Sequence, residues 1–132
     1  MAGCVLRATG DNFQVTKFLE TSTFAPCNVF HKGERKAKNR IWNCSGITVV
    51  VSDASGDDLA RQVQDAIEFV RENQKELSRL RSFDGLEDME LDFAVYSKNG
   101  FLQSSVFPAE LIALAGNWGI GIEMSMYGED ED

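Results

Sequence analysis

A short basic segment is the part of this sequence whose residue types best suit a working surface. It runs from His31 to Arg40 and leads directly into Ile41 and Trp42. It holds five of the thirteen lysines and arginines of a chain whose formal net charge is −8. Clustered cations beside an aromatic side chain are suited to binding, because cations attract anions and a tryptophan buries a large area. The expected binding residues are Lys32, Arg35, Lys36, Lys38, Arg40 and Trp42.

Cysteine and histidine chemistry has weak support in the sequence. Cys4, Cys27 and Cys44 are odd in number and form no CxxC pair, which argues against a disulfide framework and against a zinc site. A catalytic cysteine would need a neighbouring base, and His31 is the only histidine. Cys27 precedes it by four residues in a segment that reads as extended, so the two side chains are not expected to meet. The cysteines are therefore interpreted as reduced structural thiols.

Other catalytic motifs are also missing from the sequence. It contains no GxSxG, no phosphate-binding glycine loop and no HExxH. The carboxylates between Glu87 and Asp92 flank an apolar strand and are interpreted as its solvated face, and Ser104-Ser105 lacks a partner base. The sequence therefore predicts no catalytic residues, no cofactor and no metal site, although an enzyme with an unrecognised site stays open.

Length and composition predict one globular domain. The chain has 132 residues, of which 43% are hydrophobic, so it can bury a core of its own. We expect residues 1–128 to form this domain and the acidic residues 129–132 to form a disordered tail. The sequence shows neither a signal-peptide pattern nor an apolar stretch long enough to span a membrane, which predicts a cytoplasmic protein. Its acidic balance makes nucleic acid an unfavourable partner for the whole surface.

Hydrophobic spacing predicts an alternation of strands and helices. In chain order these are a strand over 5–11, a helix over 14–21, an extended segment over 27–31, a strand over 40–52, a long helix ending near 81, strands over 91–96 and 101–107, a helix that begins at 108 and a strand over 120–127. Ser55 is expected to cap the long helix, and Asn99-Gly100 to turn a type I′ hairpin. Gly33 is the expected pivot of the basic segment, and core packing is the favoured role of Trp42 and Trp118.

This order predicts an α+β two-layer sandwich, with a mostly antiparallel twisted sheet, two main helices packed on one face and an elaborated ferredoxin-like arrangement. The chain also resembles the bacterial domain of unknown function family numbered 4279. The resemblance rests on Lys32-Gly33-Glu34 leading through Arg40 to Trp42, on Asp57-Asp58-Leu59, on Phe107-Pro108-Ala109-Glu110-Leu111 and on Met126-Tyr127. It implies a small cytoplasmic protein without an assigned activity, and some members resemble immunity proteins that neutralise bacterial toxins.

Three functional hypotheses follow. The first is a non-catalytic protein-binding module, with an immunity-type inhibitor of a toxin as one form. It would use acidic surface, the basic segment and a tryptophan, with charge steering the encounter. The second is a binder of a small anionic ligand or of RNA through the basic segment beside Trp42. The third is a small enzyme with an unrecognised site. Homodimerisation through sheet edges or the long helix is compatible with all three.

Overall fold

The computed structural model describes residues 3–97 and 104–128. They form a single sheet with helices packed on one of its faces. In chain order the elements are β1 (Cys4–Gly10), α1 (Val15–Thr21), β2 (Asn28–Phe30), β3 (Ser45–Ser52), α2 (Leu59–Glu72), α3 (Gln74–Arg81), β4 (Asp88–Tyr96), α4 (Ala109–Asn117) and β5 (Ile120–Tyr127). The expected tail at 129–132 lies outside the described residues.

The sheet has five strands in the order β2-β3-β1-β4-β5. Neighbouring strands run antiparallel, except for β4 and β5, which are parallel. The predicted α+β two-layer arrangement with a mostly antiparallel sheet is therefore confirmed. The ferredoxin-like comparison stays a prediction.

The core lies between the sheet and the helices. Alternate residues of β1 and β4, such as Leu6, Ala8, Leu91 and Phe93, are fully or almost fully buried on this side. The helices cover them with a stripe of apolar residues at spacings of three and four. The stripe consists of Val63, Ala66, Ile67, Val70, Leu77 and Leu80. The opposite side of the sheet, called the open face below, carries no helix in the described part of the chain.

The predicted hairpin after β4 is wrong in its second strand. Its turn at Asn99-Gly100 lies outside the described residues, and residues 104–107 form no strand. The neighbour of β4 is instead β5, paired in parallel from Met89 with Ile120 to Tyr96 with Tyr127. A parallel pair needs a crossover connection, which α4 supplies. Alternation within a strand does not reveal which strand lies beside it, so the sequence pattern missed this pairing.

The long helix differs from the prediction at its start and in its middle. Asp58 caps it, because its carboxylate accepts a hydrogen bond from the Arg61 backbone at 3.1 Å. The Ser55 hydroxyl accepts one from Asp57 at 3.2 Å, a turn before the helix begins. The predicted helix is also divided at Asn73, which has non-helical torsion angles and whose side chain donates to the Phe69 carbonyl at 2.9 Å.

The last helix, α4, differs from the prediction at its start. Pro108 occupies the N-cap of α4 instead of its first turn. Helix α4 continues through Asn117, and Gly119 then takes a φ of +67°. In residues 3–97 and 104–128, none of the helices has the length and apolar character needed to cross a membrane.

Candidate functional site: the basic hairpin and the open face

The basic segment folds as a hairpin, called the basic hairpin below and spanning Gly33 to Trp42. Gly33 N–H donates to the Trp42 carbonyl at 2.8 Å, and Trp42 N–H donates to the Glu34 carbonyl at 2.9 Å. Gly33 has a φ of +89°, a left-handed conformation that glycine adopts without steric cost. The hairpin therefore begins at the expected pivot. It also takes up residues 40–42 of the predicted strand, and β3 starts only at Ser45.

The tip of the basic hairpin is a tight turn centred on Lys38 and Asn39. Both have left-handed backbones, with φ values of 55° and 63°. The Lys36 N–H donates to the Arg40 carbonyl at 2.7 Å beneath them. Two successive positive φ values define a type I′ turn, which asparagine tolerates and lysine adopts rarely. The turn thus holds an exposed lysine in an unfavourable conformation at its outermost point.

Trp42 is held between Phe30 and Lys36. The Trp42 and Phe30 rings stack with centroids 4.0 Å apart and planes 16° apart. The Lys36 ammonium lies 4.4 Å from the Trp42 ring centroid, and since Phe30 occupies one face of the ring, Lys36 must cover the other. Phe30 is only 3% exposed, whereas Trp42 is half-buried and lies outside the core cluster. The core role expected for Trp42 is therefore wrong, while Trp118 does pack against the core.

The five cations of the segment have different environments. Lys32 forms an ion pair with Asp11, at 2.6 Å between Nζ and Oδ1, and Lys36 lies on the Trp42 ring. Arg35, Lys38 and Arg40 are exposed, and none has a carboxylate of the described residues within ion-pair distance. Only these three cations are therefore available to a partner without breaking an existing ion pair or ring contact.

Two adjoining clefts lie where the basic hairpin meets the open face. The larger has a volume of about 590 Å³ and extends from Trp42 and Lys36 across Arg7 to Asp92 and Tyr127. The smaller, of about 360 Å³, lies between Arg7, Trp42 and Arg40. Of the six residues predicted from the sequence, Lys36, Arg40 and Trp42 thus meet at the clefts. The other three, Lys32, Arg35 and Lys38, do not line them.

A polar cluster that the sequence analysis missed forms the centre of the open face. Arg7 of β1 pairs with Asp92 of β4 at 3.3 Å and with Glu123 of β5 at 3.7 Å. The Ser125 hydroxyl donates to the second oxygen of Asp92 at 2.7 Å. Arg7 lies between apolar neighbours in β1, and this isolated charge was the signal available in the sequence. The cluster depends on strand pairing, which the sequence does not show.

Charge is divided across the open face. The basic hairpin contributes cations at the β2–β3 side. Asp88 and Glu90 contribute carboxylates at the β4 side, where strand alternation places them with Asp92. Glu123 adds another on β5, at 45% exposure of its side chain. The open face is thus basic along one side and acidic along the other, with Arg7 between them.

The three cysteines have different environments: Cys4 is buried, Cys44 is half-buried and Cys27 is exposed. Burial raises the pKa of the Cys4 thiol far above its ordinary value, and nearby Asp92 and Asp65 raise it further, so the thiol stays protonated. The Cys27 thiol donates to the Thr48 carbonyl at 3.4 Å instead of to a base. His31 is hydrogen-bonded through its backbone to Glu34 at 3.1 Å. Within residues 3–97 and 104–128, no three potential metal ligands of the His, Cys, Asp and Glu types are grouped together.

Comparison with known proteins finds no relative of this chain. No family model, no curated protein and no solved structure matches the chain. The resemblance to the family numbered 4279 therefore stays a prediction, and the surface must be interpreted from its own chemistry.

Proposed function

We propose that this chain is a non-catalytic protein-binding module whose binding surface is the basic hairpin and the adjoining open face. The observation that carries the proposal is the set of three exposed cations without carboxylate partners among the described residues, Arg35, Lys38 and Arg40, in a chain of net charge −8. Arg40 lines the smaller cleft beside Trp42, and Arg35 and Lys38 lie on the same hairpin. Tryptophan and arginine are the side chains most enriched at the energetic centres of protein interfaces.

The charge pattern of the open face indicates the chemistry of the partner. The basic hairpin attracts a carboxylate patch, while Asp88, Glu90 and Glu123 attract a basic one. A folded protein can present an acidic and a basic patch at the separation that matches the two sides of the open face. Complementary charges increase the rate of association and fix the orientation of the two proteins. RNA is a uniform polyanion, which the carboxylate side of the face repels. A protein with adjoining acidic and basic patches is therefore the partner that we propose.

The environment of Trp42 also favours a protein over RNA. Aromatic platforms bind single-stranded nucleic acid by stacking a base on a free ring face. Both faces of the Trp42 ring are already covered, by Phe30 and by Lys36. The edge of the ring remains available, and it can fill a pocket on a partner while Lys36 moves with it.

An immunity-type inhibitor of a toxin is the specific form of this module that we propose. Such an inhibitor acts by covering the active site of its target, so it needs a rigid, charge-matched surface and no catalytic residues. The basic hairpin meets the first requirement through its backbone hydrogen bonds and the stacking of Trp42. The target would carry the acidic and basic patches described above beside its own active site. We propose that this encounter takes place in the cytoplasm.

The direct test compares charge reversal at two places. Arg35→Glu/Arg40→Glu removes two unpaired cations from the basic hairpin. Lys17→Glu/Lys75→Glu changes the net charge equally on α1 and α3, where both lysines are exposed. A partner captured by chemical cross-linking in the source cell is purified, and its affinity for each form is measured by calorimetry at several salt concentrations.

We expect the hairpin variant to bind the purified partner at least about tenfold more weakly, and the control variant to bind like the wild type. Affinity of the wild type should fall as salt rises, because the exposed charges are screened. The proposal is contradicted if both variants bind equally, or if no captured protein distinguishes them. Protection of cells by the wild type alone against a captured toxin would support the immunity form.

A second candidate function is the binding of a small anionic ligand in the smaller cleft. The observation that favours it is the meeting of Arg7, Lys36 and Arg40 around about 360 Å³ beside Trp42, a volume suited to a small molecule. Titration with inorganic phosphate and with citrate tests this candidate, followed by the fluorescence of Trp42 in a Trp118→Phe background. Saturable binding that Arg40→Gln abolishes supports it, and an unchanged spectrum excludes these two anions.

A further inference from the structure

The two edges of the sheet are protected to different degrees. The β2 edge is three residues long and passes directly into the basic hairpin, so it offers little backbone for pairing. The β5 edge is eight residues long and carries a single charge, Glu123, which pairs with Arg7 of its own chain. A long edge strand without blunting charges is a template for another strand. In the described residues, no strand pairs with the outer side of β5.

We propose that β5 pairs with the β5 strand of a second copy of this chain, as an antiparallel homodimer about a twofold axis. The apolar side chains beside this edge support the pairing. Met124 is 41% exposed and Met126 is 53% exposed, both on the side of the sheet that faces the helices. Pairing removes part of this apolar surface from water and satisfies the unpaired backbone groups of the edge.

Side-chain alternation restricts the register of this pair. Directly opposed residues of an antiparallel pair point to the same face, so each residue must oppose one of the same parity. A register centred on Glu123 would place two carboxylates opposite each other, which is unfavourable. A register centred on Ser125 would pair a shorter part of the strands. Centring on Met124 avoids both problems.

The Met124 register matches the side chains on both faces. Met124 opposes its own copy, and Ile122 opposes Met126 of the second copy, so the apolar residues meet on the helix side. On the open face Glu123 opposes Ser125 of the second copy instead of another carboxylate. Gly121 opposes Tyr127 of the second copy, and an aromatic ring across the strand covers the space that a glycine leaves. This register therefore avoids a like-charge contact and places the large Tyr127 opposite the small Gly121.

Such a dimer has a consequence for the open face. A twofold axis perpendicular to the sheet joins the two five-stranded sheets into one sheet of ten strands. Both open faces then lie on the same side, with the basic hairpins at the two far ends. The inference goes beyond the proposed function and does not depend on it, because no residue of the basic hairpin takes part in the pairing.

Site-specific cross-linking tests both the dimer and its register. The background variant is Cys27→Ser/Cys44→Ser, which leaves only the buried Cys4. Met124→Cys places two thiols directly opposite each other, at a Cβ separation of about 5 Å that a disulfide bridges after a small shift. Met126→Cys is the matched control, because its copies lie about 13 Å apart along the strands in this register.

We expect Met124→Cys to form a disulfide-linked dimer under mild oxidation and Met126→Cys to stay monomeric on a denaturing gel. Equal cross-linking of the two would overturn the register, and no cross-linking of either would overturn the pairing.

Sedimentation of the unmodified chain gives an independent readout. We expect a dimer that Met124→Lys weakens about tenfold or more, because two ammonium groups then meet at the axis. Ile112→Lys, on the exposed side of α4, should leave the dimer intact. A wild-type chain that stays monomeric at every concentration overturns the proposal. So does a dimer that Ile112→Lys disrupts and Met124→Lys leaves unchanged.

Discussion

Two groups of aromatic rings in this protein are each capped by a cation, and they differ in how that cation is held. Under the helices, Phe18 contacts Phe13, Phe24 and Phe83 at centroid distances of 5.2–6.5 Å, and the Arg79 guanidinium lies 4.5 Å from the Phe18 ring. On the open face, Trp42 stacks on Phe30 under the Lys36 ammonium. We call these the inner and outer aromatic groups.

The inner cation is fixed by hydrogen bonds. Arg79 donates to the Phe18 carbonyl at 3.1 Å and to the Thr21 hydroxyl, and pairs with Glu76 at 3.3 Å. Glu76 in turn accepts hydrogen bonds from the Ser22 hydroxyl and the Thr23 backbone. Arg79 therefore joins α3 to the end of α1 and cannot move without breaking several contacts.

The outer cation has no such attachments. Lys36 is exposed, and among the described residues its side chain forms the contact with the Trp42 ring but no ion pair and no side-chain hydrogen bond. An arginine with bound donors stabilises one conformation, whereas a lysine held only by a ring can move together with that ring when a partner binds. The inner group therefore stabilises the fold, and the outer group is suited to binding. Four substitutions test this comparison.

The largest effect is expected from Phe18→Ala in the inner group. Phe18 is fully buried, so truncation leaves a cavity and removes ring contacts. We expect the free energy of unfolding to fall by about 3–5 kcal/mol. Urea denaturation followed by circular dichroism measures this change. A loss smaller than that of Trp42→Ala would reverse the comparison.

Trp42→Ala in the outer group is expected to cost about 1–2 kcal/mol of stability, because the ring is only half-buried and its loss exposes Phe30. Partner affinity should fall far more than stability. The same urea measurement, together with calorimetry on the purified partner, separates the two effects. Unchanged affinity would remove Trp42 from the binding surface.

Glu76→Gln tests whether the charge of Glu76, which pairs with Arg79, makes the stability of the protein depend on pH. Burial raises the pKa of Glu76, but hydrogen bonds from Ser22 and Thr23 and the charge of Arg79 outweigh it, so the pKa is lowered on folding. The resulting stability is present above the unfolded pKa of about 4.3 and is lost as pH falls through the lower folded pKa. We expect the substitution to cost about 1 kcal/mol at neutral pH.

The difference between wild type and Glu76→Gln should shrink as pH falls below about 4. Thermal unfolding at a series of pH values measures it. A constant difference across the acid range would show that the carboxylate charge does not contribute.

Lys38→Gly is expected to have the smallest effect on stability and the opposite sign. Glycine adopts the left-handed backbone conformation at the hairpin tip without the steric cost that lysine has there. After the backbone entropy of glycine is included, we expect the free energy of unfolding to rise by about 0.5 kcal/mol. The substitution also removes an unpaired cation, so partner affinity should fall. Lys38→Asn is the matched control, since asparagine tolerates this conformation and also lacks the charge. If urea denaturation shows that Lys38→Gly is less stable than the wild type, the left-handed conformation of Lys38 does not cost stability.

The helices and most strands were predictable because the spacing of apolar residues that identifies each one lies within a short stretch of the sequence. The periods of β5 and of the stripe from Val63 to Leu80 are clear in the sequence. The break at Asn73 was not predictable, since apolar spacing continues across it. Neither was the parallel position of β5 beside β4, because alternation is the same for any neighbouring strand.

The candidate site was predictable only in part for the same reason. The cations and Trp42 were found because they are close in sequence. Phe30, which supports Trp42, and Arg7, which centres the open face, come from other strands and meet the hairpin only through the register of β2, β3 and β1. Their roles follow from tertiary contacts that no local pattern contains.

Amide hydrogen exchange on the complex with the purified partner tests whether the basic hairpin is the binding surface. The amides of Gly33, Lys36 and Trp42 are hydrogen-bonded within an exposed hairpin, so their exchange responds to a partner that covers it. We predict added protection across the basic hairpin and the clefts beside it, with no change in α2 and α3. Protection confined to α2 and α3, with the basic hairpin exchanging as in the free protein, would show that the partner binds elsewhere.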